Sequence, residues 1–250
     1  MQGGAWRLLE TEAATLGVGI GPRQFDQFRL LQGEIQRFSL RFSLTGLRSE
    51  DEIVAHHFLD SLACLAAVRP EAGERVIDVG SGAGFPGLPV KIVRPDLRLC
   101  LLEANRRRAL FLEHVRRTIG LEEVEVLWGR AEEWAHRAGY REAFGLAVAR
   151  GVAALATTAE WCLPFLRLGG RLVAYRGPEA WQEAAGAAAA LEGLGGRLER
   201  LVRRPFERWG RGRVLVVVCK EAPTPGRYPR RVARWGGRRR DRGTQPRAAN

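Results

Sequence analysis

The stretch Arg75-Val-Ile-Asp-Val-Gly-Ser-Gly-Ala-Gly-Phe-Pro-Gly-Leu-Pro89 carries the strongest architectural signal in this 250-residue chain. An apolar run, Val76–Val79, leads straight into Gly80, Gly82 and Gly84, and the pattern turns helical near Gly87. Glycines suit such a turn because the backbone can bend and approach a ligand with no Cβ in the way. In open α/β sheets, ligands occupy the crevice beyond the carboxyl ends of the strands. Asp78, just inside the turn, is therefore placed to hold the loop or to accept from the ligand. The next apolar run, Leu99-Cys-Leu-Leu-Glu103, ends on a carboxylate nineteen residues after Gly84. An acid there can accept hydrogen bonds from both ribose hydroxyls of an adenosine ligand.

Two ligands compete for this layout. Gly82-Ala-Gly84-Phe-Pro-Gly87 is formally the dinucleotide fingerprint. That frame begins two residues late relative to the strand end, and Pro86 crowds its turn. Framed from Gly80, the loop has the Asp-x-Gly-x-Gly-x-Gly pattern of S-adenosylmethionine binding, with no pyrophosphate to cradle.

Outward from this loop the chain alternates short apolar runs with amphipathic stretches. Strands are expected at Arg75–Val79, Arg98–Glu103, Val124–Trp128, Leu146–Ala149, Arg171–Tyr175, Leu198–Val202 and Val214–Cys219. Helices are expected near 87–93, 105–119, 130–138, 153–166 and 179–194. The alternation implies parallel βαβ units and a doubly wound, mostly parallel seven-stranded sheet with helices on both faces. The last two strands lack a helix between them, so residues 203–213 read as a hairpin-like loop and the final strand as antiparallel.

Residues 5–70 read as an N-terminal helical extension. Phe25, Phe28, Leu31, Ile35, Phe38 and Phe42 form one apolar stripe behind Pro22. Ser49-x-x-Glu52 is a capping box ahead of Ile53, Phe58, Leu62 and Leu65, in a helix that should stop before Arg69-Pro70. The expected divisions are 1–70, the helical segment packed on the core; 71–221, the binding domain; and 222–250, a basic arm.

Hydrophobic residues make up 46% and charged residues 27%, as in a folded protein. No apolar run approaches the ~20 residues needed to span a bilayer, and residues 1–17 lack the order of a signal peptide. A cytoplasmic location, no membrane contact and a monomer are expected. Cys64, Cys100, Cys162 and Cys219 are far apart among apolar neighbours, and the histidines have no ligand spacing, so no metal or redox site is expected. The formal net charge is +12, almost all of the basic charge is arginine, and residues 222–250 set nine arginines against Asp241 alone. Such a block fits an arm that neutralises phosphates; a solvated tail is the alternative.

Residues 78–103, with Arg106-Arg107-Arg108 and Phe111-Leu112 following, resemble the bacterial small-subunit ribosomal RNA methyltransferase G family, also called glucose-inhibited division protein B. The resemblance extends upstream to Ser43-Leu-Thr45 and His57-Phe-Leu-Asp-Ser61. Downstream it runs through Arg130-Ala-Glu132, Ala149-Arg150 and Leu168-Gly-Gly170 to Tyr228-Pro-Arg-Arg231, thus spanning about residues 25–231. It implies a Rossmann-like class I methyltransferase fold and methylation of guanine N7 in the 530 loop of 16S ribosomal RNA, at the position conventionally numbered 527. The implied partner is that RNA or the small ribosomal subunit, and the implied cofactor is S-adenosyl-L-methionine. The family's cofactor contacts carry over to Gly80, Phe85, Glu103, Ala104, Asn105, Ala131, Glu132 and Arg150. Arg150, Arg176, Arg230 and Arg231 are the candidates for contact with RNA. Arg176-Gly177 stands where relatives often have Lys-Gly, and the tail after Arg231 is richer in arginine and poorer in proline than the usual ending.

From the residues alone, Glu132 reads equally as a cofactor contact or as a first-turn acid favoured by the helix dipole. Arg150 could instead belong to a structural ion pair, and His57 with Asp60 could be a packing pair. Phe85 or Leu102 is expected to cover the adenine. Trp128, Trp134 and Trp161 read as core or cofactor-edge aromatics rather than an RNA-stacking platform. Guanine N7 carries a lone pair and no proton, so no general base is expected, and no catalytic residue is assigned. A nicotinamide-dependent oxidoreductase and a non-catalytic RNA-binding protein are the alternatives.

Overall fold

The computed structural model describes residues 4–40, 44, 49–203 and 212–230. Seven strands, β1 (Arg75–Val79), β2 (Arg98–Glu103), β3 (Val124–Trp128), β4 (Phe144–Arg150), β5 (Leu166–Arg176), β6 (Gly196–Arg203) and β7 (Val214–Lys220), form one sheet. Its order is β3-β2-β1-β4-β5-β7-β6. β1 to β5 run parallel, and β7 is antiparallel to both β5 and β6. The helices are α1 (Gly4–Thr15), α2 (Pro22–Ser39), α3 (Glu50–Ile53), α4 (Asp60–Leu62), α5 (Cys64–Ala67), α6 (Gly87–Val93), α7 (Arg106–Thr118), α8 (Ala131–Trp134), α9 (Leu155–Cys162) and α10 (Ala180–Gly193).

Period-2 alternation sends successive residues of each strand into two separate cores. Val76, Leu99, Leu101, Leu146, Val148, Val173 and Leu215 face the core built by α1, α2, α6 and α7. Ile77, Cys100, Leu102, Ala147, Ala149, Leu172 and Val216 face the one built by α9 and α10. The chain moves outward from β1 to β2 and β3 on one side and from β4 to β5 on the other. The reversal lies between adjacent β1 and β4, and it opens a crevice at their carboxyl ends.

β7 lies inside the sheet and β6 at its edge, and their composition says why. Val214–Val218 is apolar throughout and buried on both faces, as an interior strand requires. β6 carries Arg197, Arg200 and Arg203, is half exposed along its length, and breaks register between Leu198 and Arg200, features suited to an edge. The loop expected between them falls on residues 204–211, outside the described residues.

The helical segment packs onto the sheet through the same core as α6 and α7. Ser49 and Glu52 form the expected reciprocal cap. The helix that follows is not continuous. A π-helical turn at Val54–Leu59 separates α3 from α4, and Val68 turns extended before Arg69-Pro70. That wider turn carries His56 and His57 toward the carboxyl end of β4. Phe42, Ser43 and Thr45 lie outside the described residues.

Two other helices are shorter than expected. α8 stops at Trp134, its chain then folding into turns through Gly139, where φ is +82°. α9 ends at Cys162 because Pro164 has no N–H to continue it, and a 3-10 turn, Leu163–Phe165, passes directly into β5. Residues 222–230, expected to begin the arm, return to the domain. Thr224 Oγ1 donates to the Leu194 carbonyl, and buried Lys220 donates to Thr224 and to the Leu163 carbonyl.

Candidate active site

At the crevice, the loop after β1 is fixed by its own backbone. Gly80 and Ser81 N–H both donate to the Leu102 carbonyl, at 2.8 and 3.1 Å, tying the loop to β2. Gly80 has φ +76° and lies so close to Val152 that any Cβ there would clash. Asp78 lies fully buried beneath the loop, its Oδ2 accepting from Gly87 N–H at 2.8 Å. Its Oδ1 has no hydrogen-bond partner among the described residues. Burial pushes its carboxyl up to about 7, against the opposing pull of the Gly87 bond and of Arg150.

Glu103 sits where β2 ends, on the α7 face with Leu99 and Leu101. Its Oε2 accepts from Gly82 N–H at 2.8 Å and its Oε1 from Asn105 N–H at 2.7 Å. One carboxylate thus joins the glycine loop to the start of α7, while a carboxylate offers about four lone-pair sites. Asn105 caps α7, its Oδ1 accepting from Arg107 and Arg108 N–H. Beside this corner is a half-open cleft of about 380 Å³, including solvent at its mouth. Gly80, Leu102, Ala104, Ala131, Glu132 and Trp161 line it. Leu102 lines this cleft, whereas Phe85 does not.

Phe85 belongs to a second group on the other side of Gly80. Arg150 closes β4 on the same face as Leu146 and Val148, and so meets the N-terminal helices. Its Nη1 donates to Asp60 Oδ2 at 2.9 Å, a pair in which the side chains are 10% and 1% exposed. Its Nη2 lies 3.1 Å from His57 Nδ1. A guanidinium only donates, so Nδ1 accepts and the imidazole carries its proton on Nε2. Burial first, and Arg150 second, depress His57 to about 3, so the ring stays neutral. His57 stacks on Phe85 with centroids 4.5 Å apart, and the Arg150 guanidinium lies 5.0 Å from the same ring. Arg150 is thus ion-paired with Asp60, and the pair is built into the crevice wall. Sequence reasoning treated His57 and Asp60 apart from Arg150, and only the tertiary packing of the π turn against β4 joins them.

The remaining arginine candidates diverge. Arg176 ends β5 on the opposite face, with Leu172 and Ala174. It is turned into the fold, donating to the Ala153 carbonyl and to Thr158 Oγ1 at 2.7 Å and lying 3.7 Å from Glu183. There the guanidinium braces the loop before α9. Arg230 is exposed at its end but clamps buried Glu160, with Nη2 to Oε2 at 2.6 Å and its own N–H to Oε1 at 2.7 Å. Arg231 lies outside the described residues. Trp161 is a cleft wall and Trp134 is half-buried, but Trp128 is 57% exposed at the outer side of Ala104 and belongs to no core.

Among the described residues, no three His, Cys, Asp or Glu side chains cluster as a metal site would need. No helix among them is long and apolar enough to cross a membrane. Cys64, Cys100 and Cys162 are buried and Cys219 is half-buried; burial drives the Cys64 thiol up to about 12.

Residues 24–203 match the family described as rRNA small subunit methyltransferase G. The ribosomal RNA small subunit methyltransferase G of Moorella thermoacetica is 41% identical over 225 residues, 90% of this chain and 94% of that one. Its counterpart in Pelotomaculum thermopropionicum is 43% identical over 219 residues, 88% and 92% of the two chains. Among solved structures, MtNAS in complex with MTA and tNA superposes with a TM-score of 0.53 at 17% identity, over 78% of this chain and 70% of that one. That likeness concerns the fold.

Proposed function

The chain belongs to the rRNA small subunit methyltransferase G family, and on that premise we propose that it methylates N7 of a guanine in the 530 loop of 16S ribosomal RNA. It is a methyltransferase, and the family and fold imply S-adenosylmethionine as the donor. The observation that carries the reading at the site is Glu103. A nearly buried carboxylate at the end of β2, spanning the glycine loop and the α7 start, fits a ligand that ends in a ribose.

The residues present fit the cofactor. Glu103 would hold the ribose hydroxyls with the lone pairs its two backbone bonds leave free. The Ala131–Glu132 backbone would face the adenine edge, and Leu102 its plane. Gly80, which tolerates no side chain, would lie against the chain that bears the sulfur. Bound there, S-adenosylmethionine supplies a methyl group on a sulfonium centre. What the protein adds is alignment, which can lower a barrier by up to ~7–11 kcal/mol. N7 presents a lone pair without a proton, so transfer to it requires no prior deprotonation. Arg150, immobilised by Asp60, His57 and Phe85, would offer its remaining N–H groups to guanine O6 or to a phosphate. Placed on N7 itself it would block the attacking lone pair. N7 lies on the major-groove edge, narrow and deep in A-form RNA, so the target guanine must come from a loop or be swung out of its stack.

Equilibrium dialysis with labelled S-adenosylmethionine and with NAD tests the cofactor, and mapping the methylated nucleotide in treated small subunits tests the acceptor. Binding of S-adenosylmethionine alone, with one modified guanine in the 530 loop, is the expected result. Preferential NAD binding would favour the oxidoreductase reading.

A further inference from the structure

Trp128 is the last residue of β3, and its parity places it with Val124 and Val126 on the α7 side of the sheet. The two valines pack beneath helices, but Trp128 lies beyond the start of α7 and is 57% exposed. Its Nε1–H donates to the Ala104 carbonyl at 3.3 Å, and the Arg106 guanidinium stands 5.3 Å from its ring. Arg107 and Arg108 follow on α7, and Arg130 lies two residues after the tryptophan, on the wall of the cleft.

Three of these four arginines break a local rule. Arg106, Arg107 and Arg108 are the first three residues of α7, where the helix dipole favours acids. At the other end of the same helix, Arg116 and Arg117 obey it and also pair with Glu113. Among the described residues, Arg106, Arg107, Arg108 and Arg130 make no ion pair and no side-chain hydrogen bond. A positive, dipole-opposed cluster beside an exposed aromatic is complementary to an anion that carries a flat ring. Trp181 supplies the internal contrast: it is 52% exposed as well, but its neighbours Glu179 and Glu183 are acids.

We propose that Trp128 is a stacking platform for an unpaired nucleotide of the RNA substrate, with Arg106, Arg107, Arg108 and Arg130 holding the adjoining phosphates. Bases stack on aromatic rings and on arginine planes irrespective of sequence. Trp128 pairs in register with Glu103 and touches Ala104, so the platform adjoins the cofactor corner. A strand gripped there leads toward the crevice where its target base must be delivered. This inference rests on the reading of the substrate as RNA. It also reverses the assignment of Trp128 to the core or cofactor edge.

The test uses the full chain and a labelled single-stranded oligoribonucleotide of mixed sequence, about 12 nucleotides long, within the range one binding surface spans. Affinity is measured by anisotropy for wild type, Trp128→Ala, Trp128→Phe and Trp181→Ala, with S-adenosylmethionine affinity measured by calorimetry on each. Trp128→Ala should weaken RNA binding roughly 10-fold or more, matching the loss of one base stack. Trp128→Phe should recover most of the affinity and Trp181→Ala should match wild type, with cofactor affinity unchanged in all. Wild-type RNA affinity in Trp128→Ala would overturn the platform, as would a parallel loss of cofactor affinity, which would make Trp128 a cofactor wall. RNA binding that depends on Trp128, in a protein that transfers no methyl group to small ribosomal subunits, would leave the platform standing and sink the proposed reaction.

Discussion

Replacing Glu103 by alanine removes the carboxylate that joins the glycine loop to α7 and would hold the ribose. Hydrogen bonds to a charged group are worth ~1.5–3 kcal/mol, so calorimetry should show S-adenosylmethionine binding weakened by about that amount. Unchanged affinity would remove Glu103 from the ribose. His57 makes a second residue-scale prediction. Its folded value of about 3 lies below the ordinary 6.5, so the neutral ring contributes stability above pH 6.5 that is lost as pH falls from there toward 3. Asp78 acts oppositely: raised to about 7, it contributes most below its ordinary 3.8 and loses that contribution as pH rises through 7. Comparing wild type with His57→Asn cancels the Asp78 effect. The melting temperature of wild type should fall further than that of the variant between pH 6.5 and 4.5. Parallel profiles would mean that His57 is not held neutral. Glu103 was legible in the sequence because its position follows from one strand and one loop. The Arg150, His57 and Phe85 grouping was not, because it depends on packing between residues 93 positions apart.

At the scale of elements, β1, β2 and β3 lie where the apolar runs put them, since each run is bounded by turn residues on both sides. The order of the last two strands was not legible from spacing, yet composition carried it. An uninterrupted Val-Leu-Val-Val-Val run demands cover on both faces, and an arginine-studded strand belongs at the edge. Leu215→Ala, in the sheet interior, should therefore cost ~2–5 kcal/mol in urea unfolding. Leu198→Ala, on half-exposed β6, should cost clearly less. Equal losses would contradict the placement of the two strands. Strand parity also separates two arginines that look alike in sequence. Arg150 and Arg176 both follow an apolar strand, but they project to opposite faces, one toward the crevice wall and one into the packing of α9 and α10. Sequence spacing supplied that alternation, so the opposite facing of Arg150 and Arg176 was legible before the structure. The π turn at Val54–Leu59 left no such signal, since its residues fit an ordinary helical stripe.

For the whole molecule, charge is the property that sequence alone conveyed. Residues 232–250 lie outside the described structure and hold six arginines against Asp241. Deleting them should weaken RNA binding and flatten its dependence on salt, because each phosphate contact releases condensed counterions. Cofactor affinity should not change, and an unaltered salt slope would return the segment to a solvated tail. The central claim is that the crevice aligns a methyl donor with guanine N7 and need not remove a proton. A small subunit reconstituted with 7-deazaguanine at the target position tests it most directly, because one ring nitrogen becomes a C–H while shape and phosphates persist. Binding should survive with at most a modest loss, and single-turnover methyl transfer should fall to background. Transfer to the 7-deaza substrate at an appreciable rate would place the acceptor at another atom and contradict the account.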